Sequence, residues 1–391
     1  MLPFSDTEIA FRYRSDKDLK LGGFLFKSMK SSMLTRIGIS ATNFAINTHL
    51  PISGLIKRTI FKQFCGGEDM FEAANTADAI GKYNVSVILD YGVEGKGNEA
   101  AFDTATDEFI KAISFAATRI NIPFVSLKVT GIARFGLLEK LNSKEVISES
   151  EHSEWQRVNA RMDRICAAAY EKKIMILVDA EETWIVEPVN DLTEKMMEQY
   201  NKEKALIFNT YQLYSRGTLD FLKESCQKAA AKGYILGAKL VRGAYMEKER
   251  ARAEEKGYPD PIQPNKESTD NDYDDAVIFC LENLDKLALF IGTHNEKSCL
   301  DAVLFMQLRG IDPGSANVYF SQLYGMGDNI SFNLAHQGYN VSKYLPYGPV
   351  LDVIPYLMRR AQENTSVAGQ TSRELLLIKK EMERRKRAQI A

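Results

Sequence analysis

Residues 237–243 read Gly-Ala-Lys-Leu-Val-Arg-Gly, a short β-prone run whose polar side chains gather toward its carboxyl end. Lys239 and Arg242 lie in it, and Tyr245 follows two residues later. Upstream, after Gly217, comes the helix-prone stretch Thr218–Lys232. A strand fed by a helix and polar where it ends is one unit of a parallel βα fold. The same pattern recurs at Val85–Tyr91, Pro123–Thr130, Ile174–Glu181, Ala205–Gln212, Leu289–His294, Val318–Leu323 and Val341–Leu345. With 237–243 this makes eight runs, their midpoints 25 to 51 residues apart, and each gap has room for a crossover helix.

Eight units over about 285 residues is the size of a TIM barrel, where a doubly wound sheet would show fewer strands. The expected fold is therefore α/β, a distorted (βα)8 barrel with a helical N-terminal arm. The expected divisions are an arm over 1–80, the barrel over 81–365 and a basic amphipathic C-terminal helix over 366–391. Barrel chemistry sits where strands end, and polar residues do cluster there. They are Asp90, Lys128, Asp179 with Glu181, Gln212, Lys239 with Arg242 and Tyr245, Thr293-His294-Asn295, Gln322 and Tyr344.

Composition removes several classes. Fifty basic residues against 52 acidic ones give a net charge of −2, so no strongly basic nucleic-acid binder is expected. Five cysteines without a CxxC pair, and four scattered histidines, point to a reducing compartment and to no metal site. The sequence contains no GxSxG, HExxH or P-loop motif. Gly95-Lys96-Gly97-Asn98-Glu99-Ala100 matches GxGxxA. Its glycines lag the first strand, however, and the second strand ends in the cation Lys128 instead of a ribose-binding acid, so a flexible loop is the better reading.

No signal peptide or acid-poor presequence opens the chain, and the longest charge-free stretch, Ile37 to Ile56, is too polar and broken to span a membrane. A cytoplasmic protein is expected, with peripheral membrane contact left open by two basic segments. Residues 1–65 hold ten Lys/Arg against four Asp/Glu, and the tail from Ser372 holds seven against three. The commoner fate of such a tail is a solvated helix docked on its own domain.

Two constellations carry chemistry. In Pro355-Tyr356-Leu357-Met358-Arg359-Arg360-Ala361-Gln362-Glu363-Asn364 the spacing places Tyr356, Arg359, Arg360 and Glu363 together on a helix following the eighth strand. Guanidiniums there suit bidentate grip on a carboxylate or phosphate. Lys128 and Lys239 in a barrel mouth are also candidates for a Schiff base with a carbonyl substrate. A barrel that merely senses a carboxylate ligand is the non-enzymatic alternative.

With these residues assembled, the chain resembles proline dehydrogenase, the flavin-dependent first enzyme of proline catabolism, in its monofunctional, mitochondrial-type branch. The resemblance rests on Lys343-Tyr344-Leu345-Pro346-Tyr347-Gly348-Pro349 running into the Pro355–Asn364 block. It rests also on Leu177–Glu181, Lys239–Tyr245 and Gly292–Asn295. It implies FAD across the barrel mouth and hydride transfer from L-proline to flavin N5, giving 1-pyrroline-5-carboxylate. A membrane quinone would reoxidise the flavin, at the inner face of a bacterial membrane or on the matrix side in a mitochondrion. Carried over, Arg359 and Arg360 would hold the proline carboxylate with Lys128 nearby, Tyr245, Tyr344 and Tyr356 would wall the ring, Leu240 would pack on it, and Asp179 would bond to the cluster. Gln212, Lys239, Val241, Arg242, Gly243, Lys266, Thr293, His294, Asn295, Gln322 and Glu363 would touch or support FAD. Which of Lys239 and Arg242 approaches N5 stays open. So does the proton acceptor for the substrate amine. Hydroxyproline dehydrogenase is the nearest alternative, although the phenol of Tyr344 would crowd a ring hydroxyl.

Overall fold

The computed structural model describes residues 4–48, 52–92, 97–366 and 369–390. Its strands are β1 Val85–Tyr91, β2 Phe124–Leu127, β3 Met175–Val178, β4 Ile207–Gln212, β5 Leu236–Val241, β6 Leu287–Gly292, β7 Val318–Leu323 and β8 Val341–Tyr347. They form a closed barrel in chain order, with helices between the strands. The expected (βα)8 barrel is thus observed.

Six strands depart from their expected bounds: β4 starts two residues later than Ala205, β5 runs one residue earlier than Gly237 and ends at Val241, and β2, β3, β6 and β8 move for local reasons. β2 stops at Leu127, because Val129–Gly131 tightens into a 3-10 turn that begins at Lys128. β3 likewise ends at Val178, leaving Asp179 just past it. β6 starts two residues earlier than Leu289 and ends at Gly292, so Thr293 and His294 belong to the loop. β8 continues beyond Leu345 through Pro346 to Tyr347. Pro346 has no N–H to give, but its carbonyl accepts Gly66 N at 2.8 Å.

The chain forms two compact units, Glu94–Ser321 and Met1–Val93 with Gln322–Ala391. In the first, aromatic side chains from several strands form one packed layer. Phe124 of β2 packs edge-on against Phe208 of β4, Phe290 of β6 and Tyr319 of β7, with ring centroids 5.0–6.4 Å apart. Such a layer fills a barrel instead of leaving a pore.

In the second unit, β1 pairs in parallel with β8 along its whole length. The arm helices Asp16–Met29 and Ser32–Asn47 belong to this unit, as do the helices Ile354–Ser366 and Gln370–Ile390. Ser15 and Asp18 close the start of Asp16–Met29 with a reciprocal capping box. Leu19, Phe26, Phe64, Leu377 and Ile378 pack in one apolar cluster. Beside them Asp328, almost wholly buried, accepts from Tyr13 Oη at 2.9 Å and forms ion pairs with Arg14 Nε at 3.0 Å and Lys343 Nζ at 2.9 Å. Burial pushes Asp328 up, but Lys343 and Arg14 outweigh it and hold the carboxyl below its ordinary range. Buried Glu374, on the last helix, accepts Gly327 N at 2.6 Å and is pushed up to about 7 by burial and by Asp328.

The last helix docks on its own arm. Lys380 donates to Ser5 O, Arg384 meets Glu8, and Arg385 reaches Asp16 and the carbonyls of Phe11 and Arg14, all within 2.8–3.0 Å. Among the described residues no helix is long and apolar enough to cross a membrane. All five cysteines are free and buried, as packing residues would be.

Candidate active site

The strand ends of the Glu94–Ser321 unit gather most of the candidate residues. Asp179 directly follows β3, its N–H bonded to Leu127 O at 2.8 Å. Its Oδ1 takes Lys239 Nζ from β5 at 2.5 Å, and its Oδ2 lies 3.6 Å from Lys128 Nζ. Lys239 is almost fully buried while Lys128 is about a third exposed. Two ammonium groups converge on this one carboxylate, and cations gathered at strand ends suit an anionic ligand group. The ion pair also occupies Lys239 Nζ, which disfavours its use as a Schiff-base nucleophile.

Glu181 sits two residues beyond Asp179. Thr130 Oγ1 donates to it at 2.6 Å, and Gln212 Nε2, at the end of β4, donates to its backbone carbonyl at 2.7 Å. Burial pushes its carboxyl up to about 7, with Thr130 and Lys128 pulling the other way. Leu240 is fully buried in β5 between register partners Tyr211 and Ile291.

Arg242, just past β5, is tied outward. Its Nε donates to Asp270 at 2.7 Å, its two terminal nitrogens to Thr293 Oγ1 at 2.8 Å and Ser298 Oγ at 3.0 Å, and its guanidinium lies 4.2 Å from the Tyr273 ring centroid. Lys266 opens the helix Lys266–Glu282 and bonds to the same Asp270. Ser298 Oγ in turn donates to Asp274 at 2.5 Å. Sequence reading passed over Asp270, Tyr273 and Ser298. The one available signal was Lys266 four residues ahead of Asp270 in a first helical turn.

Two further candidates have local duties. Asn295 caps the helix Glu296–Leu308, accepting Lys297 N at 2.9 Å and Ser298 N at 3.3 Å. Its side-chain oxygen is therefore committed to the helix start. Gly243 has φ +134°, and a Cβ there would stand 2.4–2.6 Å from the Tyr214 ring, so the backbone passes where a side chain has no room. Val241 closes β5, His294 is half-buried after Thr293, and half-buried Tyr245 caps the helix Met246–Lys256.

In the Met1–Val93 and Gln322–Ala391 unit, Tyr344 stands on β8 opposite Ile88, half-buried. Its carbonyl accepts Tyr324 N at 2.9 Å. The helix Ile354–Ser366 carries Tyr356, Arg359 and Arg360 as the sequence expects, and the Arg360 guanidinium lies 5.4 Å from the Tyr356 ring centroid. Buried Gln322 accepts Ser331 Oγ at 2.6 Å, which fixes its amide. The side chain of Glu363 lies outside the described residues, as do Gly95 and Lys96 of the glycine loop. Asn98 of that loop caps the helix Glu99–Ala116.

These residues fit a flavin dinucleotide. Arg242 and Lys266 are joined through Asp270, and capped helix starts at Asn265 and Asn295 present donors of the kind a diphosphate takes. Gly243 offers the close backbone approach that a flat ring system needs.

Comparisons with known proteins bear on the family and the fold. The family model described as Proline dehydrogenase matches residues 73–373. The mitochondrial proline dehydrogenase 1 of Dictyostelium discoideum is 32% identical over 379 residues, 86% of this chain and 66% of that protein. The hydroxyproline dehydrogenase of Xenopus laevis is 32% identical over 422 aligned residues, covering 98% of this chain and 90% of that one. A crystal structure of proline utilization A from Bdellovibrio bacteriovorus shares the fold, with TM-score 0.73 at 19% identity, over 90% of this chain and 42% of the other. The chain thus spans about two thirds or less of two of these three proteins.

Proposed function

Because this chain belongs to the proline dehydrogenase family, we propose that it oxidises L-proline to 1-pyrroline-5-carboxylate with FAD as the immediate acceptor and a membrane quinone as the final one. The observation that carries the reading is the helix Ile354–Ser366, with paired Arg359 and Arg360 one turn from Tyr356 and Arg360 stacked on that ring. A planar carboxylate suits two adjacent guanidiniums, and the aromatic face suits the apolar ring attached to it.

FAD, when bound, supplies the two-electron acceptor that no side chain can provide. The protein's residues do the rest. Arg359 and Arg360 orient the substrate by its carboxylate, so that the carbon on the far side of the ring nitrogen is the one presented. Tyr245, Tyr344 and Tyr356 exclude water around the ring. Lys239, rather than Arg242, is the cation for the redox-active end, since Asp179 holds it in the barrel interior while Asp270, Thr293 and Ser298 hold Arg242 at the rim. Arg242, Lys266, Gln212, Val241, Gly243, Thr293 and His294 serve the rest of FAD, with Gln322 and Glu363 assigned to its support. Asn295 acts there through its helix cap.

The test is a visible spectrum of the FAD-loaded protein during anaerobic addition of L-proline. Bleaching is expected, and Arg359→Met should raise the proline KM strongly while keeping the flavin bound. A spectrum indifferent to proline would overturn the substrate, and loss of flavin from Arg359→Met would make Arg359 a cofactor residue. A second reading, oxidation of hydroxyproline, is favoured by one observation, the similarity to the Xenopus enzyme over 98% of the chain.

A further inference from the structure

From Leu19 to Gly67 the chain carries Lys20, Lys27, Lys30, Arg36, Lys57, Arg58 and Lys62 and not one Asp or Glu. Within this stretch the helix Ser32–Asn47 has Arg36 as its only charge. Large apolar side chains on it point to solvent: Met33 is 70% exposed, Ile37 52% and Phe44 65%, and Leu55 of the next short helix is 68% exposed. Met33, Ile37 and Phe44 fall at i, i+4 and i+11, one face of the helix. On the preceding helix, Lys20, Phe24 and Lys27 form a similar exposed stripe, with Phe24 65% exposed. Large apolar side chains clustered in water mark an interaction surface.

Charge decides the occupant. A second copy of this chain would bring an equally basic, acid-free surface against the first, whereas an anionic bilayer neutralises the rim and takes up the apolar face. The last helix, the other basic segment, is unsuited to that task, since Lys380, Arg384 and Arg385 are spent on its own arm. The helix Ser32–Asn47 also packs directly on Ile354–Ser366, the helix that bears Arg359 and Arg360. A bilayer seated on it would bring membrane quinone next to the proposed proline site.

We infer that the face of Ser32–Asn47 that carries Met33, Ile37 and Phe44, with Arg36 beside it and the Lys20, Phe24 and Lys27 stripe of the helix packed on it, is the surface by which this protein seats on an anionic lipid bilayer. The inference rests on the quinone reading above. The full FAD-loaded chain would be sedimented with vesicles of phosphatidylcholine alone and of phosphatidylcholine mixed with phosphatidylglycerol. Binding to the mixed vesicles alone is expected, with Ile37→Glu/Phe44→Glu abolishing it and Arg36→Glu weakening it at least about fivefold. All these side chains are exposed, so folding and proline-dependent bleaching should be unchanged. The inference is overturned if the wild-type chain stays in the supernatant, or if Ile37→Glu/Phe44→Glu sediments as the wild type does. It is overturned equally if light scattering finds a dimer that Ile37→Glu dissociates while vesicles retain nothing. Bleaching by proline, read in the same sample, separates failure of this surface from failure of the proposed activity.

Discussion

Asp179 takes the Lys239 ammonium at 2.5 Å and faces Lys128 at 3.6 Å, so a single carboxylate just past β3 serves cations from β5 and from the end of β2. Removing it would take from buried Lys239 the carboxylate that it pairs with here. Asp179→Ala is expected to lower stability by about 3 kcal/mol, read as a fall in Tm of the FAD-loaded protein. Pairing it with Lys239→Met should recover more than half of that loss, because removing both partners is milder than stranding one. No recovery in the double variant would show that the pair is not what Asp179 stabilises.

Gly243→Ala should be costly even though the position is exposed. Its φ of +134° and the Tyr214 ring both exclude a methyl group. A loss of about 1–3 kcal/mol is expected, together with weaker FAD retention on gel filtration. A variant as stable and as yellow as the wild type would mean that the loop can reshape.

Glu374 gives a pH dependence with a definite sign. Its folded-state value of about 7 lies above its ordinary 4.5, so the folded protein binds more protons than the unfolded chain between those values. Stability therefore falls as pH rises through that window and then levels off. Glu374→Gln keeps the acceptor for Gly327 N but cannot ionise, so Tm plotted against pH should be flatter for the variant than for the wild type from roughly 4.5 to 7. Parallel curves would place the titration elsewhere.

Tyr344→Ser should raise the ratio of hydroxyproline to proline kcat/KM, since it removes the bulk expected to crowd a ring hydroxyl. An unchanged ratio would remove Tyr344 from substrate choice.

Much of this was legible in the sequence, and for physical reasons. β-prone runs ending in polar residues fix strand number and direction, and Val85–Tyr91 and Val318–Leu323 are observed with the expected boundaries. Tyr356, Arg359 and Arg360 announce themselves by helical spacing. What stayed hidden depends on approach between distant segments. Nothing near Arg242 in sequence says that Asp270 and Ser298 will hold it. The duty of Asn295 as the cap of Glu296–Leu308 was hidden in the same way, since it depends on where that helix starts. The exposure of Met33 and Phe44 was equally invisible, since a helix of that composition reads as buried until its neighbours are known.

The discontinuity of one unit has a consequence for synthesis. Glu94–Ser321 is a single uninterrupted segment, whereas Met1–Val93 has to await Gln322–Ala391, which supplies β8 as the partner of β1 and Asp328 as the counter-ion of Arg14. On a ribosome adding about 5–20 residues per second, that wait lasts on the order of ten seconds after Ser321 is joined. Throughout it, β1 would present an unpaired edge, and the arm would stand without the last helix that docks on it. The growing chain would then offer β1 and the arm to chaperones for longer than it offers the barrel segment Glu94–Ser321.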